Sequence, residues 1–508
     1  MRKPLIFLIL LTALFPSSCH RQSPGVSSLV IGIEGTPTNL DPGYATDAYS
    51  MQIADLCFEG LVRFDRKGEL VPWLAADFSV RRNDEIAVTL RRGIRFQDGT
   101  VFTSGDVAAT INRILDSPSY SPYKEALSHI QNIVLQGPYG LVIRMKEPYA
   151  PLLTALTIGI LPHRLAAEKN LPPEKLIGTG PYRIYRYDVA HAVELRAFAG
   201  YWGGPPRIQR LLFRVVPNDL TRVLELEKGS IDLLVNAVPP DAVGTLRHDK
   251  HVRVITGQGN SYEYLGFNMR DPLLRIPAVR RAIAHAIDRQ AIISSVLFNE
   301  AEPATGILPP WNKAYDGNVQ QYGYNPAEAE QLLDEAGFPR RHGYRFTLDF
   351  KTSNNPLSIR VAQAIAYELG QIGIKVNLRS YEWATFYNDI RHGNFQLYTL
   401  RWVNVMDPDI YYYAFDSRAF PPSGANRGYY ANSEVDQLLG QARSILNSNA
   451  SLPVYRHIQR IIARDLPYVS LWYMKDITAM RDRVRGFRPF PGGGYRGINK
   501  AYIVREQP

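Results

Sequence analysis

Hydrophobic and polar positions between residues 85 and 115 spell a strand, a turn and a helix in close succession. Val88 and Leu90 alternate with polar neighbours, the period of a half-buried strand. Asp98-Gly99 supplies a turn, and Thr103 and Asp106 have capping-box spacing, in which hydroxyl and carboxylate each meet a free backbone N–H of the first helical turn. Beyond it, Val107, Ile111, Ile114 and Leu115 return on one helical face. A short strand is predicted at residues 29–33, then turn formers and a helix near residues 52–59, with a further alternating strand at 141–145. Val279, Ile283, Ala286 and Ile287 form a helical stripe, and Asp288 is placed to cap a second helix carrying Ile292, Ile293, Val296 and Leu297. Residues 346–350, 359–369 and 374–378 read as strand, helix and strand. Two more helices follow from stripes at Val435, Leu438, Leu439 and Ala442 and at Val454, Ile458, Ile461 and Ile462. This rhythm predicts an α/β fold, a mixed sheet under helical cover.

A chain of 508 residues exceeds what one core serves, which implies about three domains at roughly 150 residues each. With 45% hydrophobic and 21% charged residues the composition is globular, and no second long apolar run follows the N-terminus. The net charge is +10, or about +8 without Arg2 and Lys3; its cations are scattered, which argues for solvated faces and against a nucleic-acid partner. Arg2-Lys3 followed by apolar residues 5–15 reads as a signal peptide. Ser17-Ser18-Cys19 resembles a bacterial lipobox, except that Pro16 stands where an apolar residue, usually Leu, is found. Cys19 is therefore the expected lipidation site, with ordinary cleavage near Ser18 the alternative. The only other cysteine, Cys57, reads as a small buried apolar residue.

Longer words carry more. VPWLAADFSV and VTLRRGIRFQDGTVFTSGDVAATI within residues 70–111, GTGPY at 178–182, YWGG at 201–204 and YLGFNMRDPLLRIPAVRRAIAHAIDRQAIISSVL at 264–297 resemble, in order, the family 5 extracytoplasmic solute-binding proteins. These are the peptide, nickel and dipeptide receptors of ABC importers, and the resemblance covers about residues 28–490. It implies a type II periplasmic binding protein fold of the large, three-domain kind, with two lobes and a hinge. The implied division is a signal segment at 1–19, domain I at 27–60, domain II at 61–178, a return to domain I at 179–263, domain III at 264–475, and a last piece of domain I at 476–508.

Catalytic constellations are missing. There is no Gly-x-Ser-x-Gly elbow, His-Glu-x-x-His or P-loop, and Gly257-Gln-Gly259 lacks the third glycine of a dinucleotide fingerprint. His248 and His251 read as a solvated loop rather than a metal site. Asp407-Pro408-Asp409 reads as turn and cap before acid–base pair. No catalytic residue, metal ligand or cofactor is expected; a hydrolase is the distant alternative. The resemblance instead implies a ligand cleft lined by Trp383, Arg401, Trp402, Asn404 and Asp407 from domain III and by Thr38 and Asn39 from domain I, with a core role for Trp383 as the alternative. Asn404 or Val405 replaces the Asp that holds a ligand amino group in many peptide receptors. By counting, Thr352 replaces the Arg that holds a dipeptide carboxylate. With both charges gone, the cleft should not depend on free α-amino and α-carboxylate groups, because a buried charge without a partner costs several kcal/mol. The reading is an extracytoplasmic ABC-importer receptor for peptides, periplasmic or lipid-anchored on the outer face of the bacterial membrane, monomeric, and delivering to permease subunits. An oligosaccharide, a metal chelate or haem is the alternative solute.

Overall fold

The computed structural model describes residues 27–166, 168 and 171–504. Residues 1–26, and with them the signal segment and Cys19, lie outside the described residues. Eleven strands join in one sheet, in the order Ile374–Tyr381, Phe346–Ser353, Leu397–Trp402, Val252–Phe267, Tyr468–Arg481, Leu233–Val235, Ser28–Ile33, Arg210–Val215, Ala192–Ala197 and Tyr182–Asp188, with Ala301–Pro303 also on Tyr468–Arg481. Two long antiparallel partners, Val252–Phe267 and Tyr468–Arg481, carry the chain from one half of this sheet to the other. Tyr262 to Phe267 pair outward with Leu397–Trp402, whereas Thr478 to Met480 pair outward with Leu233–Val235. Their register slips between Gly257 and Ser261, where the crossing lies. Gly259 is required there: a β-carbon would stand 1.9 Å from the Met474 carbonyl oxygen. The expected boundaries at 263/264 and 475/476 thus fall inside paired strands.

Separate cores lie on either side. One gathers Leu29, Ile31, Phe58, Leu195, Phe213 and Met480; another packs Leu265, Val279, Ile283, Leu348, Ile365 and Leu471. A third lies under the four-stranded sheet of Ala75–Arg81, Glu85–Leu90, Gly140–Met145 and Ile130–Leu135, covered by the helix Ser104–Asp116 through Val107, Ile111 and Ile114. The capping box of Thr103 and Asp106 opens that helix, and Asp288 accepts from the Ala291 N–H as its spacing predicts. The helix expected near 52–59 runs instead over Ala48–Ala54. It stops because the backbone oxygens of Leu56 and Cys57 accept from Tyr182 and Gly180, a tertiary pairing incompatible with another helical turn.

Three sequence words meet at one buried carboxylate. Glu59 accepts hydrogen bonds from Trp73 Nε1 (2.8 Å), Thr179 Oγ1 (2.8 Å), Tyr201 Oη (2.8 Å) and Trp202 Nε1 (2.9 Å). It ties the edge of the third core to the sheet.

Candidate ligand cleft

Side chains from the two halves meet beside the crossing strands. Arg401, opposite Glu263 in the ladder, donates from Nε to Glu263 Oε2 at 2.7 Å. Its charge also acts on Glu34, just past the strand Ser28–Ile33 in the other half. Glu34 is held by the fully buried Arg222, whose Nη2 donates to it at 2.9 Å. Trp402 follows Arg401 on the alternate face, stacked on Tyr264 and edge-on to Tyr413. Burial raises the Tyr413 phenol, and Tyr120, from the loop after Ser104–Asp116, lies close enough to hydrogen-bond it.

Trp383 opens the helix Trp383–His392 behind its N-cap Glu382 and is 54% exposed. It stacks on Tyr387 one turn later, with centroids 5.6 Å apart and planes 14° apart. This is an open aromatic platform, not a core tryptophan.

The other expected residues are engaged differently. Asn404 adopts a left-handed backbone, φ +55°, and its Oδ1 accepts from Asn260 at the crossing, while Val405 is a core side chain. Asp407 turns one oxygen to the Asp409 N–H at 2.9 Å and accepts the Thr154 hydroxyl with the other. It lines a 280 Å³ cavity between the third core and the helices beyond it, with Phe64, Leu153, Lys313 and Tyr455. Thr38 and Asn39 sit in a capping cluster at the start of Ala48–Ala54: the Thr38 hydroxyl donates to Asp47 at 2.6 Å and Asn39 Oδ1 accepts from the Asp41 N–H. Burial opposes ionisation of Asp47, but hydrogen bonds from Ser50 and Thr38 hold its carboxyl below the ordinary range. Thr352 is fully buried, with its hydroxyl unpartnered.

His248 is exposed at the end of the helix Pro240–His248 instead of lying in a loop. Among the described residues no three His, Cys, Asp or Glu side chains gather as metal ligands. Sequence reasoning missed Glu34, Arg222, Glu263, Tyr387, Tyr413 and Tyr120. Only Arg222 carried a signal, as a cation on the buried face shared with Val223 and Leu226.

The sequence model for bacterial extracellular solute-binding proteins, family 5 (middle region), matches residues 69–420. The chain belongs to this family. This family 5 receptor is 27% identical over 508 residues to the glutathione-binding protein GsiB of Shigella dysenteriae serotype 1, with 97% of each chain covered. The oligopeptide-binding protein AppA from Bacillus subtilis, solved with a nonapeptide, matches with a TM-score of 0.80 at 26% identity, covering 94% of this chain and 99% of that one. The periplasmic binding protein DppA from Helicobacter pylori, solved with the peptide STSA, matches with a TM-score of 0.80 at 25% identity over 94% and 98%. The fold is therefore that of a type II periplasmic binding protein, and the chain is a solute-binding receptor of the ABC-importer kind.

Proposed function

We propose that this receptor captures peptides between two lobes that close on them, and passes them unchanged to an importer permease. The observation that carries the reading is the electrostatic coupling of Arg401 to Glu34 and of Tyr413 to Tyr120 between the two halves, beside long paired strands whose register slips between Gly257 and Ser261. A solute touching both halves is bound fully only when the halves approach, so affinity and closure are one free energy. The peptide and glutathione ligands of the relatives support the solute class. Clusters of buried apolar residues, most of whose members fall within one piece each, support the division into 27–60 with 179–263 and 476–508, 61–178, and 264–475. The exported chain acts as a monomer held to the membrane through acylated Cys19; a fatty-acid probe that fails to label the wild-type protein would remove that anchor.

Thermal unfolding with glutathione and with peptides of two to five residues tests the main claim. Bound peptide should raise Tm in proportion to ln(1 + [L]/Kd) and be recovered intact by mass spectrometry. Steady conversion of the peptide by pure protein, or no response to any of them, would overturn it.

A further inference from the structure

Arg427 lies behind the aromatic platform with no carboxylate opposite it among the described residues. It is 8% exposed, its guanidinium carbon stands 5.0 Å from the Trp402 ring centroid and 5.4 Å from that of Tyr387, and its one side-chain hydrogen bond among the described residues runs from Nη2 to Tyr387 Oη at 3.1 Å. A guanidinium carries five N–H donors, so this buried cation is far from satisfied.

Its surroundings supply no negative charge. Tyr264, Tyr398 and Tyr468 all lie within electrostatic reach of Arg427, and their buried hydroxyls are neutral and reach only one another. Burial raises the Tyr398 and Tyr468 phenols and keeps them protonated, hence donors. Trp402 Nε1, next to the same guanidinium, is also buried and unpartnered. Four neutral polar groups thus surround one cation, and no anion among the described residues balances it. Buried charges are almost always paired, and a buried guanidinium with N–H donors to spare is the complement of an anion.

The segment is built to hold the guanidinium there. Asn426 donates from Nδ2 to the carbonyls of Asp416 (3.0 Å) and Tyr430 (2.8 Å) and accepts from the Tyr430 N–H, which locks the turn before Arg427. Gly428 allows the backbone to pass the Phe267 carbonyl, where a β-carbon would stand 2.7 Å away.

We propose that Arg427 is the anion anchor of the ligand site, receiving a carboxylate of the solute between the Tyr387 and Trp402 rings, with Trp383 stacking on the adjoining part. This rests on the peptide reading above and names its acidic end: the carboxylate anchor absent at Thr352 is supplied from another loop. A free carboxyl terminus, or the α-carboxylate left free by the γ-linked glutamate of glutathione, has the required chemistry.

Two probes separate this inference from the peptide reading. Calorimetric titration with glutathione and tri- and tetra-alanine, each as free acid and fully amidated, should show a roughly 10- to 100-fold loss on amidation in the wild type, the range of a charge-assisted hydrogen bond. In Arg427→Met the free acid should bind as weakly as the amide, and in Arg427→Lys the loss should be partial, since a point charge replaces the planar fork. Acetate alone, titrated to tens of millimolar, should raise the Tm of the wild type and not that of Arg427→Met. Peptides that bind equally well as acids and amides would overturn the anchor and leave the peptide reading standing. An acetate effect that needs Arg427, without binding of any peptide, would overturn the peptide reading and leave the anchor. No response to acetate or to any free acid would overturn the anchor too. Should Arg427→Met not fold, the acid–amide comparison on the wild type and Arg427→Lys decides.

Discussion

Asp476 stands on the crossing strand Tyr468–Arg481 opposite Gly257, and it is buried. It accepts from Asn236 Nδ2 at 2.9 Å and from the Gly492 N–H at 2.7 Å, with no ion pair to a cation among the described residues. Burial pushes its carboxyl up to about 6, against the two hydrogen bonds. A raised carboxyl binds its proton more tightly in the folded than in the unfolded chain. Its contribution to stability is therefore complete below about pH 4, the unfolded value, and is lost as pH rises through about 6. Urea midpoints from pH 4 to 7 should fall more steeply for the wild type than for Asp476→Asn, the difference amounting to about 2 kcal/mol. Parallel curves would mean that the carboxyl titrates normally. Thr352 shows the limit of counting at this scale. Position in the word placed it on the right strand, but a strand alternates faces residue by residue, and the face is set by pairing with Ser380 across the ladder.

Glu59 explains why the longer words were readable. Trp73 belongs to VPWLAADFSV, Thr179 to GTGPY, and Tyr201 and Trp202 to YWGG; each donates to the same carboxylate. Gly178 and Gly180 are needed because β-carbons there would stand 2.1 Å from the Cys57 carbonyl oxygen and 2.6 Å from its carbon. These constraints are local and steric, so they mark the sequence. Burial pushes the Glu59 carboxyl up and the four donors oppose it. In Glu59→Gln one oxygen must serve donors that two served, and the new amide N–H faces donors. Loss of about 2–4 kcal/mol is expected, read as a lower urea midpoint with the m-value unchanged. A shift below 0.5 kcal/mol would show that the four donors find water instead.

Arg443 joins pieces far apart in the chain. Its backbone oxygen accepts from Ala150 at 2.7 Å, its guanidinium reaches Tyr149 and Glu125, and its Nε lies 3.0 Å from Asp409 Oδ1 without the alignment of a hydrogen bond. Leu446, just past the end of the helix Ser433–Ser444 that carries Arg443, packs into the third core. Together with Thr154 and Asp407 this contact bridges the third core and the helices around Ile410–Phe415 and Ser433–Ser444. Arg443→Met should lower stability by about 1–3 kcal/mol, less than a fully buried pair because Glu125 is exposed. It should also enlarge the radius of gyration in small-angle scattering. An unchanged radius with unchanged peptide affinity would confine Arg443 to a local role.

Elements, caps and family words were determined by the sequence, because each depends on neighbours a few residues away: the capping box at Thr103, the cap at Asp288, the stripe from Val107 to Ile114, the glycines beside Cys57. Tertiary structure alone decided which side chains share a space. It set Trp383 open on Tyr387, turned Asn404 to the crossing strands and Asp407 to Thr154, and brought Glu34 to Arg401 from the other half of the sheet. Arg427 belongs to that second kind. It sits in a turn with no periodicity to mark it, and the rings and hydroxyls around it come from four segments separated by up to about two hundred residues, a convergence that no spacing along the chain encodes.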